Sequence, residues 1–206
     1  MMAEWFTAHI IEIFGAVTGI IYVFLEIRQN IWLWPVGIAT SATYIYVFRD
    51  NGFYADMLLQ VYYLAISVYG WWAWTHGKPQ EETVKSELKI SRIDLKTAVW
   101  TSAVTTLLFF VMWYVLDRWT DSPVPVWDAV ITTLSVIATW MLTRKILEQW
   151  HVWIIANAIA IIVYILKGMY PTVILFIVYF VMAVAGLYEW RKVYASYAAE
   201  KSETIN

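Results

Sequence analysis

The sequence has no cysteine and only three histidines, His9, His76 and His151, scattered along its length. That excludes disulfides, thiolate metal centres and a cysteine nucleophile. Neither an HExxH helix nor a phosphate-binding glycine loop occurs, so zinc-dependent hydrolysis and P-loop hydrolysis of ATP are excluded as well. Charge is scarce: Asp, Glu, Lys and Arg make up 15% of the 206 residues, and a net charge of −2 gives no basic face for nucleic acid. The last apolar run, 171–190, has no lysine on which a retinal pigment could form. Acids and histidines nowhere cluster as catalysis would need, so the chain is read as a non-enzyme without cofactor or metal.

What the chain has instead is apolar surface. Hydrophobic residues make up 61% of it and aromatic ones 18%, against roughly 45–50% apolar in soluble domains. Runs of about 18 or more apolar residues span a bilayer as helices. Seven such runs are present, at 9–27, 31–49, 54–75, 97–118, 127–143, 150–167 and 171–190. The first is followed too closely by others to be a cleaved signal peptide. Numbering sides by alternation, one side holds three basic residues, Arg49, Arg118 and Lys167, and the other holds the remaining eleven. The positive-inside rule then puts the N-terminus outside and the C-terminus inside. The polar stretch 76–94 mixes both charge signs and reads as a cytoplasmic linker, partly helical.

Two parts of the chain resemble each other. YADMLLQVYYLAISVYGWWAW (54–74) aligns without gaps on YPTVILFIVYFVMAVAGLYEW (170–190), matching Tyr54 to Tyr170, Tyr63 to Tyr179, Gly70 to Gly186 and Trp74 to Trp190 at one offset of 116. NIWLWPVGIATSATYIYVF (30–48) aligns on QWHVWIIANAIAIIVYILK (149–167) with Trp34 on Trp153, an offset of 119 that requires a loop difference of three residues after Phe48. Internal repeats are a mark of transporter folds. The expected organisation is a first three-helix repeat (1–75), a cytoplasmic linker (76–96), a linker helix (97–118), a second three-helix repeat (119–190) and a cytoplasmic tail (191–206). An offset of four spans makes the repeats parallel, related by an axis along the membrane normal, with two halves that rock about a central site.

Polar and aromatic residues inside the spans are the candidate site. Trp150, Trp153, Asn157 and Tyr164 share one helix face. An unpaired amide at the depth of Asn157 costs on the order of 2–7 kcal/mol in an alkane-like medium, so it must face protein, water or ligand. Gln60, Tyr63, Ser67, Trp71 and Trp74 share a face of the third span, and Tyr179, Gly186 and Trp190 occupy its repeat. Trp34, Ser41 and Tyr44 come from the second span, and Thr132, Ser135 and Thr139 form a polar stripe on the fifth. The substrate-binding set is Trp34, Tyr44, Gln60, Tyr63, Ser67, Trp71, Trp150, Trp153, Asn157, Tyr179 and Trp190. Against it stands the membrane-interface preference of tryptophan and tyrosine, which needs no ligand. Glu12 and Asp128 open the first and fifth spans as candidates for proton coupling or gating, with helix capping as the plainer role for Asp128. Gly15 and Gly19 form a GxxxG helix-contact pattern.

These residues, taken together, resemble the Pnu family of bacterial vitamin-precursor transporters. The resemblance rests on 54–74, Trp127–Asp128, LTRK (142–145) and WHVWIIAN (150–157), whose WxxW followed by asparagine fits the family pattern. It implies a multi-pass protein of the inner (plasma) membrane with the three-one-three arrangement of the sugar-carrying SWEET proteins. It further implies uptake by facilitated diffusion, with the substrate trapped through phosphorylation by a cytosolic kinase, and a homo-oligomer. Nicotinamide riboside is the expected substrate. Ser67 and Ala185 depart from that branch, which keeps thiamine as the alternative. A proton-coupled carrier and a non-transporting membrane scaffold are the further alternatives. Both vitamins are flat cationic heteroaromatics, which tryptophan faces attract by roughly 0.5–2 kcal/mol each.

Overall fold

The computed structural model describes residues 2–50, 54–76, 88–120 and 122–205, with side chains described for 13–49, 57–76, 88–120 and 122–197. The described residues form seven α-helices: α1 (Met2–Ile27), α2 (Leu33–Asp50), α3 (Tyr54–His76), α4 (Leu95–Trp119), α5 (Pro125–Thr143), α6 (Gln149–Leu166) and α7 (Tyr170–Ile205). Among the described residues, α4 through α7 each contain a stretch long and apolar enough to cross a membrane, and 13–27 of α1 is a shorter apolar helix. The chain is an all-helical, multi-pass membrane protein. It divides into two compact units, 1–87 and 88–206.

In the first unit α2 packs on both α1 and α3. Helix α1 ends in a Schellman turn: Gln29 takes the left-handed conformation (φ 51°), its N–H donates to the Glu26 carbonyl (2.9 Å), and the Asn30 N–H donates to the Leu25 carbonyl (2.8 Å). Pro35 follows in the first turn of α2, where its missing N–H costs nothing.

In the second unit α5 packs on α4 and α6, and α6 on α7. Pro125 starts α5. Helix α5 ends in the same turn as α1: Lys145 is left-handed (φ 50°), its N–H donates to the Leu142 carbonyl (2.9 Å), and the Ile146 N–H donates to the Met141 carbonyl (3.1 Å). Between α6 and α7 the left-handed position is Gly168 (φ 70°), the residue best suited to it. A buried cluster of Ile137, Met141 and Ile146, flanked by Ile93, Val104, Trp140 and Val152, forms the core at this end.

Of the linker, His76 is helical, 77–87 lie outside the described residues, and 88–94 are extended rather than helical. This last piece lies on the α5–α6 turn through a parallel bridge: the Ser91 N–H donates to the Lys145 carbonyl (3.0 Å), and the Leu147 N–H donates to the Ser91 carbonyl (2.9 Å). Glu148 completes the clamp, accepting from the Ile93 N–H (2.9 Å) and the Arg92 Nε (3.1 Å). Asp94 then caps α4 by accepting from the Thr97 N–H (3.2 Å), and hydrogen bonding to Thr97 holds its carboxyl below the ordinary carboxylate range. At the other end of the chain the expected tail is helical, because α7 runs on without a break to Ile205.

Candidate functional site

The site begins with a scaffold that occurs twice. Trp34 of α2 is fully buried, with its six-membered ring against Gly70 of α3, where an added Cβ would collide with it. Its second wall is Trp74, edge-on at 5.3 Å and 90°. In the second unit Trp150 of α6 is 1% exposed, lies on Gly186 of α7 in the same way, and meets Trp190 edge-on at 5.6 Å and 83°. Edge-to-face pairs add about 0.5–1.5 kcal/mol each beyond the area they bury.

This geometry corrects the alignment of α2 with α6. Trp34 corresponds to Trp150 rather than Trp153, so the offset is 116 (150 − 34), as it is for α3 and α7. The left-handed residues Gln29 and Lys145 keep the same offset, as do the helix starts Leu33 and Gln149, and Tyr54 and Tyr170. No loop difference remains: three residues separate α2 from α3 and three separate α6 from α7. Two tryptophans three apart allow either register in a sequence. Only one of them lies on the glycine of the next helix.

With the register known, positions that differ between units stand out from those that repeat. Gly37 of α2 corresponds to Trp153 of α6, and Ser41 to Asn157. Gly37 has a close cover: a Cβ there would lie 2.8 Å from the Ser67 Oγ and 3.0 Å from the Tyr22 ring. Tyr22 and Ser67 in turn correspond to Ala138 and Ala183. At these positions the first unit thus has a large residue on its first helix, Tyr22, and glycine on its second, and the second unit has alanine on its first and Trp153 on its second. Trp153 is half-buried and its Nε1 makes no hydrogen bond within the protein. Asn157, one turn further along α6, is 4% exposed.

The other sequence candidates are distributed as follows. Ser67 is buried, and Gln60 and Tyr63 are half-buried, with Tyr63 5.5 Å from Tyr62. Trp71 does not share the buried face of Ser67 and Trp74: it is 44% exposed and lines an outward groove with Val68, Trp72, Thr75 and His76. Tyr44 stacks on Phe48 (5.4 Å), its hydroxyl against Gly15 of α1, so Gly15 is a helix contact. Tyr179 stands edge-on to Phe176 (5.9 Å, 88°). The Thr132–Ser135–Thr139 stripe is in part spent on its own helix, as Ser135 donates to the Ile131 carbonyl and Thr139 to the Ser135 carbonyl, both at 2.8 Å. Asp128 is held by Lys167 (2.9 and 3.0 Å) and by the Ser122 hydroxyl (2.6 Å). The Glu12 side chain lies outside the described residues.

Two buried residues, Gln149 and Glu26, and the half-buried Tyr22 escaped the sequence reading. Gln149 is fully buried, and neither atom of its amide makes a hydrogen bond within the protein. Glu26 is 1% exposed. Both stand next to span ends, where a polar residue reads as a boundary marker. Tyr22, which covers Gly37, has Thr18 and Glu26 at helical spacing, a pattern that could have drawn attention to it.

The sequence matches the nicotinamide mononucleotide transporter family over residues 9–192. The nicotinamide riboside transporter PnuC of Escherichia coli K12 is 26% identical, the match covering 87% of this chain and 84% of the relative. The riboflavin/roseoflavin transporter RibM of Streptomyces davaonensis is 21% identical over 90% of this chain and 87% of its own. A crystal structure of the vitamin B3 transporter PnuC superimposes with a TM-score of 0.70 at 22% identity, covering 93% of this chain and 86% of the other, so the two share a fold.

Proposed function

The chain belongs to the nicotinamide mononucleotide transporter family, and we propose that it carries nicotinamide riboside across the inner (plasma) membrane by facilitated diffusion, trapped inside by a cytosolic kinase. The observation that carries the reading is the α6 face on which Trp153 and Asn157 stand where the first unit has Gly37 and Ser41. An indole with an uncommitted N–H and a buried amide one turn away suit a flat cationic ring with a hydroxylated tail. Trp34, packed on Gly70 and edge-on to Trp74, and Trp150, packed on Gly186 and edge-on to Trp190, act with those partners as scaffold. Relatives that carry nicotinamide riboside and riboflavin favour nicotinamide riboside over thiamine.

The membrane arrangement that accompanies this reading is seven spans in parallel repeats, three, one and three, with the N-terminus outside. The repeats occupy 1–75 and 119–190 around a linker (76–96) and a linker helix (97–118), and 191–206 is a cytoplasmic extension of α7. The protein works as a homo-oligomer. Uniport without ion coupling is supported by Asp128, which Lys167 and Ser122 engage.

The test is side-by-side calorimetry of nicotinamide riboside, riboflavin and thiamine on the purified protein, followed by downhill uptake into vesicles with proton and sodium gradients collapsed. Binding of nicotinamide riboside alone, and uptake that survives the ionophores, is the expected result. Heat only with thiamine or riboflavin overturns the substrate, and uptake lost with the gradients overturns uniport.

A further inference from the structure

Gln149 opens α6 as a fully buried side chain, and neither atom of its amide meets a hydrogen-bond partner among the described residues. Its equivalent in the first unit is Leu33, which is buried just as completely. The backbone does the same work at both positions: the Gln149 N–H donates to the Ile146 carbonyl (3.3 Å), and the Leu33 N–H donates to the Asn30 carbonyl (3.1 Å). A leucine therefore fills this place in the fold as well as a glutamine does. A buried amide without a partner destabilises the protein that carries it. Such a group is kept at a cost to stability where a ligand is to meet it.

The company of Gln149 says which ligand. Gln149, Trp153 and Asn157 stand four residues apart on α6, so they share one helix face. All three belong to the second unit. Trp153 is half-buried and its Nε1 makes no hydrogen bond among the described residues, and Asn157 is a buried amide. Along the axis the order is amide, indole, amide, spread over about 12 Å at the rise of an α-helix. An extended nicotinamide nucleoside presents a matching order of carboxamide, flat ring and hydroxylated sugar.

We propose that Gln149 is a further substrate-binding residue, which recognises the primary carboxamide on the ring. The two amides pair head to tail: the Gln149 Nε2 donates to the substrate carbonyl, and the substrate NH2 donates to the Gln149 Oε1. The proposal rests on the nicotinamide riboside reading and deepens it, assigning the carboxamide to Gln149, the ring face to Trp153 and the sugar hydroxyls to Asn157. An aryl ketone at the same ring position has the carbonyl but no N–H, so it leaves the Gln149 Oε1 buried and unpaired. A site built around such a hydrogen bond rejects the analogue that lacks the donor.

The experiment compares nicotinamide riboside with the acetylpyridine riboside in which a methyl group replaces the carboxamide NH2. Ring, charge, carbonyl and sugar are the same in both, and each is titrated onto the full-length protein in detergent. The wild type is expected to bind nicotinamide riboside at least about tenfold more tightly than the ketone. Gln149→Leu is expected to bind the two within about twofold of each other, having lost the wild-type ratio on nicotinamide riboside. Equal binding of the two by the wild type overturns the proposal, and so does a folded Gln149→Leu protein that keeps the preference or weakens for both alike. If Gln149→Leu does not fold, Gln149→Met, closer to glutamine in shape, takes its place with the same expectations. A wild type that binds neither riboside overturns the substrate reading itself, and this inference with it.

Discussion

Trp150 lies with its six-membered ring directly on Gly186, leaving no room for a Cβ on the facing helix. The contact fixes how α6 and α7 approach, and Trp34 on Gly70 does the same for α2 and α3. Overpacking a close-packed contact costs typically 1–3 kcal/mol. Gly186→Ala and Gly70→Ala are each expected to lower the melting temperature by several degrees. Combining Gly186→Ala with Trp150→Phe is expected to recover part of the loss, a non-additivity that residues in contact show. Strict additivity in a double-mutant cycle rules the contact out.

Trp153→Ala and Asn157→Ala are expected to weaken substrate binding by tenfold or more, on the scale of about 1.4 kcal/mol per decade, with the melting temperature changed little. Trp150→Ala is expected to do the reverse in rank, losing stability first, since truncating a buried tryptophan costs about 3–5 kcal/mol. Calorimetry and thermal melts on the three variants separate site from scaffold. Unchanged affinity in both Trp153→Ala and Asn157→Ala removes them from the site.

Gln149 is buried with no hydrogen bond from its amide within the protein, and its repeat equivalent is the buried Leu33. An unsatisfied buried amide costs about 1–3 kcal/mol. Gln149→Leu is therefore expected to raise the melting temperature, the shape being already accepted at Leu33. A drop instead means that the amide binds something essential, and parallel uptake measurements show whether that is the substrate.

The Asp128–Lys167 pair is about four-fifths buried on each side (side chains 22% and 18% exposed). Removing one charge strands the other, at a cost below the 3–5 kcal/mol of a fully buried pair because water still screens it. Asp128→Asn and Lys167→Met are each expected to lower stability, and the double variant to lie above the worse single one. Downhill uptake per folded molecule is expected to persist in Asp128→Asn. Its loss makes Asp128 part of the transport cycle.

Glu148 holds the extended segment 88–94 through Ile93 and Arg92. Glu148→Ala is expected to speed tryptic cleavage after Arg92 several-fold by freeing that segment, because proteolysis follows local opening. Mass spectrometry of the fragments checks this. An unchanged cleavage rate means that the Ser91 bridge alone carries the clamp.

Much of this was legible from the sequence. Helices α3 and α6 begin and end within a residue of the apolar runs, because hydrophobic length reports directly on the solvent a helix crosses. The likeness of α3 to α7 was equally plain, since Tyr, Gly and Trp coincide at one offset without gaps. The likeness of α2 to α6 was visible but misregistered, because two tryptophans offer themselves and hydropathy does not choose between them. Trp71 was placed with Ser67 and Trp74 because helical spacing groups residues to within about a quarter turn and cannot tell a buried edge from an outer one.

The sequence by itself determined the solvent, the helices and the likeness of α3 to α7, all of which follow from composition and local period. Tertiary structure alone decided the register of the duplication, and with it which residues are scaffold and which are surplus to it. The reason is steric: a tryptophan that must lie on a glycine identifies its partner by contact, and contact is not a property of the local sequence. Once Trp34 and Trp150 are matched, Glu26, Tyr22, Trp153 and Asn157 emerge among the positions where the two units differ in chemistry.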